Sequence, residues 1–95
     1  MTEWLASGMR RDVCILLYGE DRRAQQLKSA LQDHYDRRIR PEQFRGALRE
    51  LEASGDVEKR IEGLADVFSL TEQGRRSVER QYEWLETELQ HDKSA

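Results

Sequence analysis

The stretch Arg40-PEQFRGALRELEASGDVEKRIEGLADVFS-Leu70 decides the fold. Phe44, Ala47, Leu48 and Leu51 recur at i, i+3, i+4 and i+7, so at about 100° per residue they form one buried stripe of a helix over residues 41–54. Arg45, Arg49 and Glu42 fall on roughly the opposite side and must face solvent or a partner. Pro41 suits the first turn, where its missing N–H would be unpaired anyway. Gly55 follows as the helix stop, where a left-handed residue is commonly needed. Val57 to Ile61 alternates in hydropathy, as does Leu64 to Leu70, with Glu62-Gly63 between them. That pattern predicts a β-hairpin over residues 57–70. A helix feeding a two-stranded ribbon, with Arg on both, has the form of a recognition helix and wing.

The chain outside this stretch supplies the remaining helices. Trp4, Leu5 and Met9 precede Val13, Leu16 and Leu17, which predicts a helix from near the N-terminus to Tyr18, closed by Gly19 and capped by Thr2 or Ser7. Asp21 is a suitable N-cap for a second helix reaching about Tyr35, with Ala24, Leu27, Ala30 and Leu31 inward. Arg22, Arg23 and Lys28 on it are surface residues within reach of phosphates. Ile39 is expected to plug the core between flanking Arg residues. Thr71 caps the last helix, and Glu72 in its first turn suits the positive end of the helix dipole. Val78, Tyr82, Leu85 and Leu89 then follow at spacings of 4, 3 and 4, a two-heptad seam. A stripe carried beyond the compact unit has little of its own domain to bury against. Residues 71–91 are therefore expected to form a dimerisation helix, packing on its copy and on Trp4, Leu5 and Met9, with Trp84 at the edge and residues from His91 onward as tail.

The segments Pro41-(x2)-Phe44-(x3)-Leu48-(x2)-Leu51-Glu52-(x2)-Gly55-(x)-Val57 and Phe68-(x)-Leu70-Thr71-(x2)-Gly74 resemble the PadR-like winged-helix transcriptional regulators. The resemblance spans roughly Val13 to Leu89, although Glu42-Gln43 and Arg45 stand where the family usually has Gly-Thr and Tyr. It implies a small dimer that binds operator DNA. The expected architecture is mostly α with a small β-hairpin, a winged helix-turn-helix with N- and C-terminal dimerisation helices. One domain over residues 1–95 is expected, with helix-turn-helix and wing over 9–70.

Composition bounds these readings. Ninety-five residues fit one domain, and a chain this short buries little more than ~60% of its unfolded surface, which a dimer interface would relieve. Charged and hydrophobic residues each make up 37%, so the core is thin. No apolar run approaches the ~20 residues of a membrane span. The start, MTEWLASGMRR, has no secretory-signal pattern, and a single cysteine leaves no intrachain disulfide, so a cytoplasmic protein is expected.

The net charge of −3 argues at first against nucleic acid, but the charge is polarised. From Arg37 to Arg60 seven basic residues stand against five acids, whereas Gln81 to Asp92 holds four acids and no Lys or Arg. Arg outnumbers Lys thirteen to three, a bias found in salt-adapted, GC-rich organisms such as halophilic archaea and also produced by mutational bias alone.

Enzyme chemistry has no support in the motifs. There is no Gly-rich phosphate loop and no nucleophile–base arrangement. Cys14 has no His or basic pair beside it and reads as core packing. His34 with Asp33 and Asp36 fits no familiar metal spacing, so no metal or cofactor is expected. The reading is a homodimeric, sequence-specific regulator of double-stranded DNA. Gln43, Arg45 and Arg49 are the base-edge candidates, since Arg pairs with guanine and Gln with adenine. Arg38, Arg40, Lys59 and Arg60 are the candidates for phosphates or the minor groove. The alternative is an interaction module of the same fold that no longer binds DNA, favoured by the acidic balance and the short wing tip.

Overall fold

The computed structural model describes residues 8–94, with side chains as far as 90. Its elements are α1 (Gly8–Gly19), β1 (Arg22–Arg23), α2 (Ala24–Tyr35), α3 (Pro41–Ser54), β2 (Val57–Glu62), β3 (Ala65–Leu70) and α4 (Glu72–Ser94). Leu17 of α1, Leu27 and Leu31 of α2, Leu48 and Leu51 of α3, and Phe68 of β3 meet in one core. Val13, Cys14, Phe44 and Val57 complete it, together with Ile39 from the α2–α3 turn. Fully burying a Leu or Val contributes roughly 1.5–3 kcal/mol, so a dozen such side chains carry most of the drive to fold. The expected stripe on α3 is the buried one: Phe44, Ala47, Leu48 and Leu51 all turn inward.

Local chemistry sets the helix ends. Pro41 occupies the first turn of α3, and Gly55 closes it at φ 85°. The N–H groups of Gly55 and Asp56 donate to the carbonyls of Glu52 and Leu51 at 3.1 and 3.0 Å. Helix α2 ends on Asp36 at φ 55°, a left-handed conformation that Asp tolerates better than most residues. The turn is then pinned by the Gln32 side chain, whose Oε1 accepts the Ile39 N–H at 3.0 Å and aims Ile39 into the core as expected. Thr71 caps α4: its Oγ1 accepts the Gly74 N–H at 3.1 Å.

Three expectations change. The sheet has three strands in the order β1-β3-β2, not two. Arg22 and Arg23 pair with Phe68 and Val67, so their backbone belongs to the sheet and not to α2. Asp21 therefore does not cap α2; the cap position is Arg23, whose N–H donates to Gln26 Oε1 at 3.1 Å. Finally, the alternation of the wing does not bury its inward set. Val57 is buried, but Ile61 is 72% exposed, because the hairpin projects past the body that would cover it. Leu64 is wholly exposed because the turn is Gly63-Leu64 and not Glu62-Gly63, Glu62 pairing with Ala65 as the last residue of β2. Trp4 and Leu5, like the caps Thr2 and Ser7, lie outside the described residues.

The order of helices, hairpin and terminal helix is that of a winged helix-turn-helix. Among the described residues no helix is long and apolar enough to cross a membrane.

Candidate nucleic-acid interface

Burying one face of α3 fixes what the other face presents. Arg45 and Arg49 are exposed and, four residues apart, lie about 40° from each other around the helix. Glu42 shares that side. Gln43 does not: it stands about 160° from Arg45 at roughly 100° per residue. It borders a shallow surface with Glu50, Met9 and Arg10. There Arg10 Nη1 meets Glu50 Oε2 at 2.6 Å and ties α1 to α3. The three expected base readers are thus split into an Arg pair and a Gln on the α1 edge.

Arg38, Arg40, Arg45, Arg49 and Lys59 are all exposed, and among the described residues none of their side chains makes a hydrogen bond or ion pair. Arg37 differs, lying over the Tyr35 ring at 5.5 Å. Tyr35 in turn donates to Asp12 Oδ2 at 2.6 Å, and burial first, then Asp12, pushes its phenol up to about 12. Beside Arg45 a cleft opens between α2, α3 and β3, where Gln25, Lys28 and Asp66 rim a floor that includes Phe44 and Phe68. Lys28 therefore stands on the same groove as Arg45.

The wing treats its two basic residues differently. Strand pairing sets Arg60 opposite Val67 and Lys59 opposite Phe68, on opposite faces of the hairpin. On the outer face Arg60 Nε meets Glu62 Oε2 at 2.6 Å and its Nη1 meets Asp21 Oδ2 at 2.8 Å. Glu62 and then Asp21 hold the guanidinium even more firmly protonated than usual. Arg60 is a strap between the wing and the loop before β1, and Lys59 carries the unpaired charge.

A second surface lies on α1 and α4. Tyr82, Trp84, Leu85 and Leu89 are about half exposed or more, whereas Val78 and Met9 lean partly on the chain's own core. Ile15, which the sequence pattern places inside the first helix's apolar run, is 48% exposed. With Tyr18, Val78 and Tyr82 it lines an apolar hollow. Tyr18 is fixed there, donating to Glu79 Oε2 at 2.7 Å with Arg75 over its ring at 4.7 Å. The signal for Ile15 was its i, i+3 relation to Tyr18, on the side of the helix away from the buried Val13 and Leu17.

Cys14 is fully buried, and burial first, then the nearby Asp56, pushes its thiol up to about 12. A thiol so protonated is not a nucleophile at neutral pH. Among the described residues no three His, Cys, Asp or Glu side chains gather as a metal would require.

No family model matches this sequence, and neither does any curated protein. Solved structures do. RosR of H. salinarum superposes with a TM-score of 0.83 at 22% identity, over 86% of this chain and 76% of that one. The homodimeric winged helix-turn-helix DNA-binding domain of a possible ArsR-family transcriptional regulator from Mycobacterium bovis gives 0.78 at 22% identity, over 94% and 78%. The likeness is one of fold: this chain is a winged helix-turn-helix.

Proposed function

We propose that the chain is a sequence-specific DNA-binding transcriptional regulator acting as a homodimer. The observation that carries this reading is the Arg45–Arg49 pair, exposed and unpaired on the helix that a winged helix-turn-helix offers to the major groove. An unpaired guanidinium keeps both donors of its fork for the O6 and N7 of guanine, and each such contact discriminates by about 1–3 kcal/mol. Arg38 and Arg40, at the entrance to α3, and Lys59 on the wing neutralise phosphates. Lys28 joins them at the cleft beside Arg45. Gln43 works at the α1 edge of the helix, and Arg60 braces the wing. The acids of the far half of α4 do not oppose this, because they stand on another element than the Arg face.

The dimer forms through Val78, Tyr82, Leu85 and Leu89 of α4, with Met9 and Ile15 of α1 and with Trp4 and Leu5. An exposed apolar stripe on the outer half of a long helix supports it, as does the homodimeric state of the M. bovis domain. The PadR-like assignment rests on the Leu51-Glu52-(x2)-Gly55 and Phe68-(x)-Leu70-Thr71-(x2)-Gly74 segments. A cytoplasmic location follows from the DNA partner, and salt adaptation from the Arg bias and the acidic balance.

Titration with genomic fragments, alongside light scattering, tests the reading. A dimer that saturates a few sequences is expected. A monomer would overturn the homodimer, and sequence-blind binding, or none, would overturn the regulator and favour the interaction module.

A further inference from the structure

The reader α3 and the dimerisation helix α4 meet at a polar joint. Asp56, wholly buried, sits where they converge. Its carboxylate accepts from Ser54 Oγ at 2.6 Å and from Gln73 Nε2 at 3.0 Å. Gln73 Nε2 also donates to the Ser54 carbonyl at 2.8 Å. The Thr71 N–H donates to the Asp56 carbonyl at 3.0 Å, and Thr71 Oγ1 to the Gly55 carbonyl at 2.6 Å. Gly74 lies so close that a Cβ there would collide with the Asp56 carbonyl oxygen. The last residues of α3 and the first turn of α4 are therefore cross-bonded by both backbone and side chain.

A buried carboxylate is expensive to desolvate, and apolar packing would join two helices at lower cost. What directional bonds add is a fixed angle. We propose that the Asp56–Gln73–Ser54 joint sets the angle between α3 and α4 and so fixes the separation of the two half-sites that the dimer reads. The inference rests on the homodimeric DNA-binding reading above. Its leverage is large. Leu85 stands twelve residues beyond Gln73, about 18 Å along the helix. A tilt of ~10° at the joint then moves the partner by about 3 Å, close to the ~3.4 Å rise of one base pair. Gln73 and Asp56 are positioning residues and touch no DNA themselves.

The test uses the full chain and a duplex selected by it from genomic fragments, cut to a single half-site or re-spaced by one base pair either way. Re-spacing should weaken wild-type binding about tenfold, the size of one mismatched base pair. In Gln73→Ala the same re-spacing should cost about threefold or less, with half-site affinity and dimer mass unchanged. Asp56→Asn should keep the wild-type profile. Its Nδ2 donates to Ser54 Oγ, whose proton then goes to the Leu51 carbonyl 3.0 Å away, and its Oδ1 still accepts from Gln73. A Gln73→Ala protein with the wild-type spacing profile overturns this inference alone, as does one that loses half-site and full-site binding equally. A wild type that binds no duplex overturns the functional reading with it.

Discussion

Arg45 and Arg49 on the helix and Arg60 on the wing look alike in the sequence, yet the fold uses them oppositely. The helix arginines face outward and, among the described residues, form no ion pair with an acid, while Arg60 is clasped by Glu62 and Asp21. The difference comes from the elements that carry them. On α3, Glu50 is taken by Arg10, and Glu42, although it shares the side of Arg45 and Arg49, forms no ion pair with either. On a strand, side chains two apart share a face, so Glu62 is bound to lie beside Arg60. The pairing of β1 then brings Asp21 in from the other side. Counting basic residues along a chain measures charge; only the fold decides how much of it a phosphate can use.

That contrast can be broken by substitution. Arg45→Ala or Arg49→Ala should each weaken binding to the selected operator by about 10- to 100-fold and relax preference at one base pair, as read from competition titrations with single-base variants. Lys59→Ala should weaken all sequences alike, severalfold, and lower the salt slope of log K by about one phosphate contact. Asp21→Ala loosens the strap, and the partly freed guanidinium should raise affinity by about twofold at low salt, with the slope steepened. Arg60→Ala should change affinity least, by less than about twofold, since its charge is already spent on two carboxylates. If Arg60→Ala instead rivals Arg49→Ala in the same titration, the distinction between helix and wing is wrong.

Much of this molecule was legible from local pattern. The α3 stripe, the Gly55 stop, the Ile39 plug and the Thr71 cap each depend on residues within a few positions of one another. What was not legible depends on partners far along the chain. The recruitment of Arg22 and Arg23 into the sheet needs Val67 and Phe68, forty-odd residues away, and it displaced the cap expected at Asp21. Ile61 alternates as an inward strand residue should, but nothing in the hairpin says that the body ends beneath it. Ile15 sits in an apolar run, and although its i, i+3 relation to Tyr18 hints at a second face, only the packing of α1 against α4 shows how much of it stays exposed. The Gly55 and Gly74 positions illustrate the middle ground. Their spacing was visible as a motif, and the structure gives the reason: one takes a positive φ, the other lets α4 touch the Asp56 backbone.

The measurement that bears most directly on the account is a titration of the operator duplex with the wild type and with an Arg45→Ala/Arg49→Ala double variant, at low and at high salt. The account predicts saturable wild-type binding that persists in part at high salt, and a double variant whose affinity falls to that for unrelated sequence at both salts while its dimer mass is retained. Equal binding by the two proteins, or wild-type binding that salt abolishes without regard to sequence, would contradict it.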